Sequence, residues 1–144
     1  MPDVKETVSV LDRTPLFRGL KKNQLERLAR RFVEREYEEG KAMVTQGQGG
    51  EGFFIITSGH ADVIRERLDG SKEKVNEFKT GDFFGELALL DDGPRTASVI
   101  ATEATTCLVL ARWDFFGVLK EDVDTAITIL QEMAKRFRMA LEVL

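Results

Sequence analysis

The stretch GDFFGELALLDDGPRTASV, residues 81–99, has the most informative pattern in this chain of 144 residues. Gly85 can adopt backbone conformations that other residues avoid, so a ligand can approach the main chain there. Residues 86–90 are rich in helix formers, and the Asp-Asp-Gly-Pro run after them ends any helix. A short helix that begins at a glycine presents free N–H groups, which attract an anion such as phosphate.

Two charged residues of this stretch suggest complementary roles in binding. Arg95 follows the loop, and its guanidinium can pair with a phosphate through several donors. Glu86 would repel a phosphate, but an ionised carboxylate accepts hydrogen bonds and suits a sugar hydroxyl. The alternative is a surface Glu–Arg pair without function, worth about 0–1 kcal/mol. The residues alone leave both interpretations open.

The composition limits the class of protein. A length of 144 residues suits one domain, and 42% hydrophobic with 32% charged residues argues against a disordered chain. Twenty-one basic against 25 acidic residues give a net charge of −4, so we expect no direct nucleic acid binding. No apolar run approaches the ~20 residues that span a bilayer. A single cysteine and the lack of a signal pattern predict a cytoplasmic protein.

The inventory of reactive side chains argues against an enzyme. The chain has one histidine, His60, and one cysteine, Cys107. A zinc site of histidine and cysteine ligands, or a Cys–His nucleophile pair, is therefore nearly excluded. We expect no catalytic residue and no metal site. His60, beside a turn glycine, is predicted to be an exposed turn residue, and Cys107 to be an inert core thiol.

Hydrophobic periodicity divides the chain into three segments. Residues 7–32 predict helices that Pro15 interrupts, with one apolar face in the second half. Residues 33–111 show short apolar runs separated by glycines, which is typical of an antiparallel barrel or sandwich, and Asp69-Gly70 predicts a hairpin. Residues 112–144 predict two hinge helices, a short one over 115–120 capped by Asp114 and a long one from about Asp122 to the end.

The long C-terminal helix has apolar residues at steps of three and four. They form an apolar stripe along one face, and such a face is normally buried against another surface. Its members are Val123, Ala126, Ile127, Leu130, Met133, Ala134, Phe137, Ala140, Leu141 and Leu144. We expect either a continuation of the chain or a partner helix to cover it, and predict a homodimer through this helix.

Residues 84–97 resemble the phosphate-binding cassette of cyclic nucleotide-binding domains, through Phe84-Gly85-Glu86-Leu87-Ala88 and Arg95-Thr96-Ala97. That family includes bacterial catabolite activators, regulatory subunits of cyclic AMP-dependent kinase and channel sensor domains. Residues 58–64 are similar to the family's early hairpin, and residues 131–137 to the dimer helix of the catabolite activator branch. The resemblance implies a mainly β fold, namely a jelly-roll-like β-barrel (double-stranded β-helix) with N-terminal helices and a long C-terminal helix.

The resemblance also implies roles for individual residues. Arg95 would bind the exocyclic oxygens of the cyclic phosphate, and Glu86 would accept from the ribose 2′-hydroxyl and so select a ribonucleotide. The backbone N–H groups that would complete these contacts belong to Gly85, Leu87, Ala88 and Thr96. The apolar wall near the base would be formed by Val63, Val75 and Phe78.

Four residues bear on which base the ligand carries, and they are Phe137, Ala140, Leu141 and Thr96. Phe137 could stack on it, or could instead be an aromatic residue of a core or dimer interface. The catabolite activator branch places a hydroxyl on the long helix against the adenine amino group, where this chain has Ala140 and Leu141. A hydroxyl like that of Thr96 is associated with cGMP tolerance in kinase-type sites, but bacterial cAMP sites share it. The implied ligand is cAMP, with cGMP as an alternative.

The predicted function is that of a cyclic nucleotide sensor or regulatory domain that switches an attached or partner effector. The ligand would bind tightly only to the state in which the cassette and the last helix are closed together, and would shift the population toward that state. Two alternatives stay open. One is a ligand-free dimerisation or interaction module with the same fold, and the other is the sensor half of a transcription regulator that lacks its DNA-binding domain.

Overall fold

The computed structural model describes residues 3–49, 52–91 and 93–143. Asp92 of the predicted turn and Leu144 of the predicted stripe lie outside the described residues. The chain divides into a unit of residues 33–112 and a unit formed by the segments before and after it. The first unit is built of strands and the second of helices.

In the described part of the β unit, eight strands form two antiparallel sheets of four strands each. The strands are β1 (Val33–Tyr37), β2 (Ala42–Val44), β3 (Gly52–Ser58), β4 (His60–Glu66), β5 (Lys72–Lys79), β6 (Phe83–Phe84), β7 (Ser98–Ala101) and β8 (Thr105–Ala111). The sheet orders are β1-β8-β3-β6 and β2-β7-β4-β5. The mainly β, jelly-roll-like prediction is confirmed. Within the described ranges no strand pairing joins the sheets, so the unit is a sandwich rather than a closed barrel.

The core of the β unit fills the space between the sheets and is continuous with the strand that precedes the cassette. Phe84 of β6 stacks on Phe54 of β3 at 4.9 Å and on Phe78 of β5 at 4.8 Å between ring centroids. Phe54 and Phe78 belong to different sheets, so this aromatic stack links them. Such pairs add about 0.5–1.5 kcal/mol beyond the burial of their area. The stack therefore fixes the point at which the chain enters the cassette.

Cys107 lies in the same core and is fully buried. Burial raises the pKa of its thiol to about 12, because the charged thiolate is poorly solvated there. The thiol is therefore protonated at neutral pH, in line with the predicted inert role.

The β4–β5 hairpin turns at Gly70, which has a φ of +87°, while the Asp69 carboxylate accepts the N–H of Ser71 at 2.9 Å. This agrees with the hairpin predicted from Asp69-Gly70.

The prediction for His60 is wrong, because this residue begins β4 and its side chain is only 28% exposed. The imidazole ring lies against neighbouring polar side chains instead of extending into solvent from a turn.

Four α-helices are found among the described residues of the helical unit, and a 3₁₀ turn at Pro15–Phe17 separates the first two. The helices are α1 (Val4–Arg13), α2 (Lys22–Ala29), α3 (Arg112–Glu121) and α4 (Val123–Val143). The interruption at Pro15 is as predicted, although the first helix begins at Val4 and not at residue 7. The predicted apolar face is buried, although only Leu25, Leu28 and Ala29 belong to α2 and Phe32 lies beyond the end of the helix. No helix in the described part of the chain is both long enough and apolar enough to cross a membrane.

The junction between α3 and α4 differs from the prediction. Helix α3 begins at Arg112, so Asp114 lies inside its first turn and does not cap it. The capping carboxylate belongs instead to Asp122, which accepts the hydroxyl of Thr125 at 2.7 Å and pairs with Arg27 of α2 at 2.8 Å. The hydrogen bond from Thr125, with a smaller effect of the Arg27 charge, lowers the pKa of Asp122. The carboxylate stays ionised and anchors the start of α4 to α2.

Helix α4 buries a different side from the one that its apolar stripe suggests. Thr125 and Ile129 are 0% and 2% exposed. The stripe members Val123, Ile127, Leu130, Phe137 and Leu141 are 46–68% exposed. The stripe is therefore an accessible apolar surface of this chain.

Candidate functional site

The cassette begins with a left-handed glycine followed by one short helix. Gly85 has a φ of +86°, and residues Glu86–Leu89 form a 3₁₀ helix. The first hydrogen bond of this turn runs from the Ala88 N–H to the Gly85 carbonyl at 3.0 Å. The N–H groups of Glu86 and Leu87 lie at the start of the turn, before that bond. The Ala88 N–H already has an acceptor in the turn itself.

Close packing explains why residue 85 is a glycine. A Cβ at this position would lie 2.5 Å from the carbonyl oxygen of Gly52 and 3.0 Å from Nη1 of Arg95. The left-handed backbone disfavours a side chain independently of that overlap. The missing side chain thus leaves room for the guanidinium of Arg95 beside the cassette backbone.

Arg95 is held through both its backbone and its side chain. Its N–H donates to the Gln48 carbonyl at 2.9 Å, and its own carbonyl accepts the Gly47 N–H at 2.8 Å. At the far end of the side chain, Nη2 donates to the Gly52 carbonyl at 2.9 Å. This hydrogen bond orients the guanidinium, which is half-buried.

A cavity of about 430 Å³ lies over this turn. Its lining residues are Gly85, Glu86, Leu87, Ala88, Asp91, Gly93, Pro94, Arg95 and Thr96. The volume is within the roughly 300–1,000 Å³ typical of small-molecule sites. Glu86 and Arg95 are both half-buried and line the same cavity, so it offers one anionic acceptor and one cationic group with several donors. That pair of groups matches a ligand that has both a phosphate and a hydroxyl.

Some predicted site residues lie elsewhere. Phe78 is part of the aromatic stack, and Val63 packs against the core between the sheets. Val75 is 39% exposed on β5. Ala97 is half-buried directly after Thr96. None of these four residues is among those that line the cavity. Phe137 belongs to α4 of the helical unit and is 67% exposed.

Several residues of the site were not predicted. Asp91, Gly93 and Pro94 line the cavity, and the Asp91 carboxylate accepts the Gly93 N–H at 3.0 Å, which shapes the loop before Arg95. Gly52 supplies the carbonyl that orients Arg95. The glycine-rich run over residues 47–52 indicates that the backbone approaches another group closely there. It does not indicate that this group is the side chain of Arg95.

Comparison with known proteins agrees with this geometry. Residues 34–122 match the family described as "Cyclic nucleotide-binding domain". The chain is 32% identical over 127 residues to the "Cyclic AMP receptor protein" of Thermus thermophilus, covering 88% of this chain and 59% of that protein. It is 43% identical over 91 residues to a "cAMP-dependent protein kinase regulatory subunit" of Mycosarcoma maydis, covering 63% of this chain and 17% of that protein.

A solved structure shows the same architecture along nearly the whole chain. The N-terminal domain of a transcriptional regulator from Streptomyces coelicolor superposes with a TM-score of 0.83 at 28% identity, and 94% of each chain is covered. The two curated relatives are longer proteins, of which this chain spans 59% and 17%. The matched segment contains the cassette, its glycine-led turn and Arg95. This chain belongs to the cyclic nucleotide-binding domain family.

Proposed function

We propose that the cavity over the cassette binds cAMP, with cGMP as the second ligand to test, and that the chain is a regulatory and not a catalytic domain. The observation that carries this proposal is the placement of Glu86 and Arg95 in one cavity around a glycine-led turn. The names of two relatives refer to cyclic AMP, which supports the choice of ligand.

The cassette residues divide the ligand between them. Arg95 pairs with the cyclic phosphate, where each charge-assisted hydrogen bond contributes about 1.5–3 kcal/mol net. The N–H groups at the start of the 3₁₀ turn add neutral donors on the same side. Glu86 accepts the ribose 2′-hydroxyl, because an ionised carboxylate can only accept. Thr96 is exposed and also lines the cavity, and its hydroxyl does not by itself choose between adenine and guanine.

We expect Glu86→Ala to remove selectivity for the 2′-hydroxyl. The natural chain should bind cAMP about 10- to 150-fold more tightly than 2′-deoxy-cAMP, since a hydrogen bond to a charged group contributes about 1.5–3 kcal/mol. In Glu86→Ala the two ligands should bind equally, because the acceptor is gone. Isothermal titration calorimetry with both ligands measures the gap. Glu103→Ala, which removes an exposed carboxylate of the same unit, is the matched control and should keep it. An unchanged gap in Glu86→Ala contradicts the role of this residue.

A ligand-free interaction module is the competing function. A thermal-shift titration separates the two, because a ligand that binds only the folded state raises the melting temperature continuously with its concentration. A melting temperature that does not respond to cAMP or cGMP would favour the module.

We further propose that α4 forms a homodimer with the same helix of a second copy. Val123, Ile127, Leu130, Ala134, Phe137 and Leu141 follow one another at alternating steps of four and three, which is the heptad spacing of a coiled-coil seam. All six residues are exposed. Two copies of such a seam are complementary to each other, which favours a symmetric pair.

The substitution Leu130→Glu should convert a dimer into a monomer, because it places a charge in the middle of the seam. Light scattering after size exclusion gives the mass of each form. Glu132→Gln, in the same helix but outside the seam, is the control and should remain dimeric. A monomeric natural chain at high concentration would contradict the proposal for this chain length.

The proposed output of ligand binding is a shift between two conformations of the chain. Binding energy that differs between two conformations shifts their populations, and a difference of about 3 kcal/mol changes the balance roughly 150-fold. An attached or partner effector would respond to that shift. The match to the N-terminal domain of a transcriptional regulator supports an output in transcription, and the chain would then be the sensor part of such a protein.

A further inference from the structure

We propose that the β4–β5 hairpin holds a second ligand site, for one divalent transition-metal ion of the zinc class, formed by His60, Asp62 and Glu77. One ligand atom from each of these side chains lies within 4.8 Å of the other two. This site is separate from the cassette, whose lining residues it does not share.

The strand register places two carboxylates against each other. Asp62 of β4 is directly opposite Glu77 of β5. Like charges directly opposite on a strand pair repel, so this arrangement favours a cation between them. His60 lies two residues before Asp62 and therefore on the same face of the sheet. The three side chains thus converge on one face of one strand pair.

The distances fit a small divalent ion. His60 Nε2 lies 3.4 Å from Glu77 Oε2. Zinc–ligand bonds of about 2.0–2.2 Å in a tetrahedron separate neighbouring ligand atoms by about 3.4 Å. Asp62 Oδ1 is closed off from solvent and lies 3.3 Å from the Lys74 ammonium, in a position that a divalent ion could take. A small shift of this carboxylate would complete a set of one nitrogen and two oxygens.

The imidazole ring has the supporting contact that a metal ligand needs. Its Nδ1 lies 2.6 Å from the hydroxyl oxygen of Thr102, which in turn donates to the His60 carbonyl at 3.2 Å. In the metal-bound form that we propose, Thr102 accepts from Nδ1–H and Nε2 binds the ion on the side of Glu77. A metal-bound histidine commonly donates its other ring N–H to an oxygen in this manner, which fixes the tautomer and the ring orientation.

The ammonium group of Lys74 already lies beside both carboxylates. Lys74 Nζ lies 2.8 Å from Glu77 Oε2 and 3.3 Å from Asp62 Oδ1. Val75 has no partner in the pairing of β4 with β5, because the register shifts there. Lys74 and Glu77 therefore face the same side of the sheet although they are three residues apart. The Lys74 side chain is 49% exposed and has a flexible stem, so it can leave when a divalent ion enters. Its ammonium group is therefore a competitor whose removal should tighten metal binding.

The donor set selects the class of ion. Imidazole with carboxylates suits zinc and its first-row neighbours, whereas magnesium and calcium prefer oxygen ligands alone. The sequence-based expectation of no metal site did not consider two carboxylates that strand pairing brings together. The Cys107 thiol is buried and protonated, so it does not compete with His60 for a transition-metal ion.

The test is calorimetric titration of tag-free protein with zinc chloride, paired with thermal melts. We expect saturable binding of one zinc ion per chain and a melting temperature that rises with zinc concentration. His60→Gln should abolish both effects while keeping the melting temperature of the metal-free chain. Lys74→Gln should bind zinc more tightly than the natural chain, and Glu73→Gln, a neighbouring carboxylate paired with Arg67, should bind it unchanged.

Two results would overturn the proposal. One is the absence of saturable zinc binding by the natural chain, including the case in which only Lys74→Gln binds. The other is equal binding by His60→Gln and the natural chain, which would place the ion elsewhere.

Discussion

Arg95→Ala is expected to weaken cAMP binding by about 150-fold or more. Two charge-assisted hydrogen bonds to the cyclic phosphate together contribute at least about 3 kcal/mol, and alanine removes both. The guanidinium is already oriented by its bond to the Gly52 carbonyl, so little conformational entropy is lost when the phosphate arrives. Calorimetric titration with cAMP measures the change in affinity directly.

The controls separate ligand contact from structure. Alanine at residue 95 also removes the hydrogen bond to Gly52, which costs about 1 kcal/mol of stability, so the melting temperature of the metal-free and ligand-free variant must be measured too. Arg95→Lys keeps the charge without the planar fork of donors and should show an intermediate loss. Lys72→Ala removes an exposed charge at the start of β5 and should bind like the natural chain. If Arg95→Ala bound cAMP within about threefold of the natural chain, the proposed phosphate contact would be wrong.

Gly85→Ala should destabilise the fold and weaken cAMP binding together. A non-glycine residue at a φ of +86° is strained, and the added Cβ would overlap the Gly52 carbonyl oxygen at 2.5 Å. The two effects together should lower the free energy of unfolding by about 2–4 kcal/mol. Because the same Cβ would lie 3.0 Å from Nη1 of Arg95, the guanidinium must also move, and we expect cAMP affinity to fall at least tenfold, about 1.4 kcal/mol.

Gly81→Ala is the matched control for that substitution. Gly81 has a φ of +95° in the turn before β6, but a Cβ there would have no neighbour within 4 Å. The free energy of unfolding of Gly81→Ala should fall by only about 1 kcal/mol, from backbone strain, and its cAMP affinity should be unchanged. Chemical denaturation of both variants gives the comparison. An equal loss of stability in the two variants would show that the close approach at residue 85 does not matter.

The chemistry of the cassette could be predicted from the sequence because it depends on residue types at fixed spacing. The left-handed glycine, the short helix and the arginine after a tight loop are all local features, and the structure places them around one cavity. The hairpin at Gly70 is predictable for the same reason. The spacing of residues in the sequence could not predict the partner of each group, because partners can be distant in the chain. The Gly52 carbonyl that orients Arg95 is 43 residues away from it.

Tertiary context decided the features that sequence patterns missed. Strand β6 has two residues, too few to show any periodicity, and it exists because Phe84 stacks between residues of both sheets. The α3 cap was misplaced because Asp114 fits a capping pattern, whereas the helix begins two residues earlier. Helix α4 buries Thr125 and Ile129, which the apolar stripe does not single out. In the hairpin, the skipped Val75 places Lys74 beside Glu77, an arrangement that alternation along a strand does not predict.

Calorimetric titration of the unmodified chain with cAMP, and separately with cGMP, tests the central claim most directly. The account predicts saturable heat for at least one of them, with one nucleotide bound per chain, and much weaker binding of linear 5′-AMP at the same concentrations. The absence of heat from both cyclic nucleotides at high micromolar concentration would contradict it.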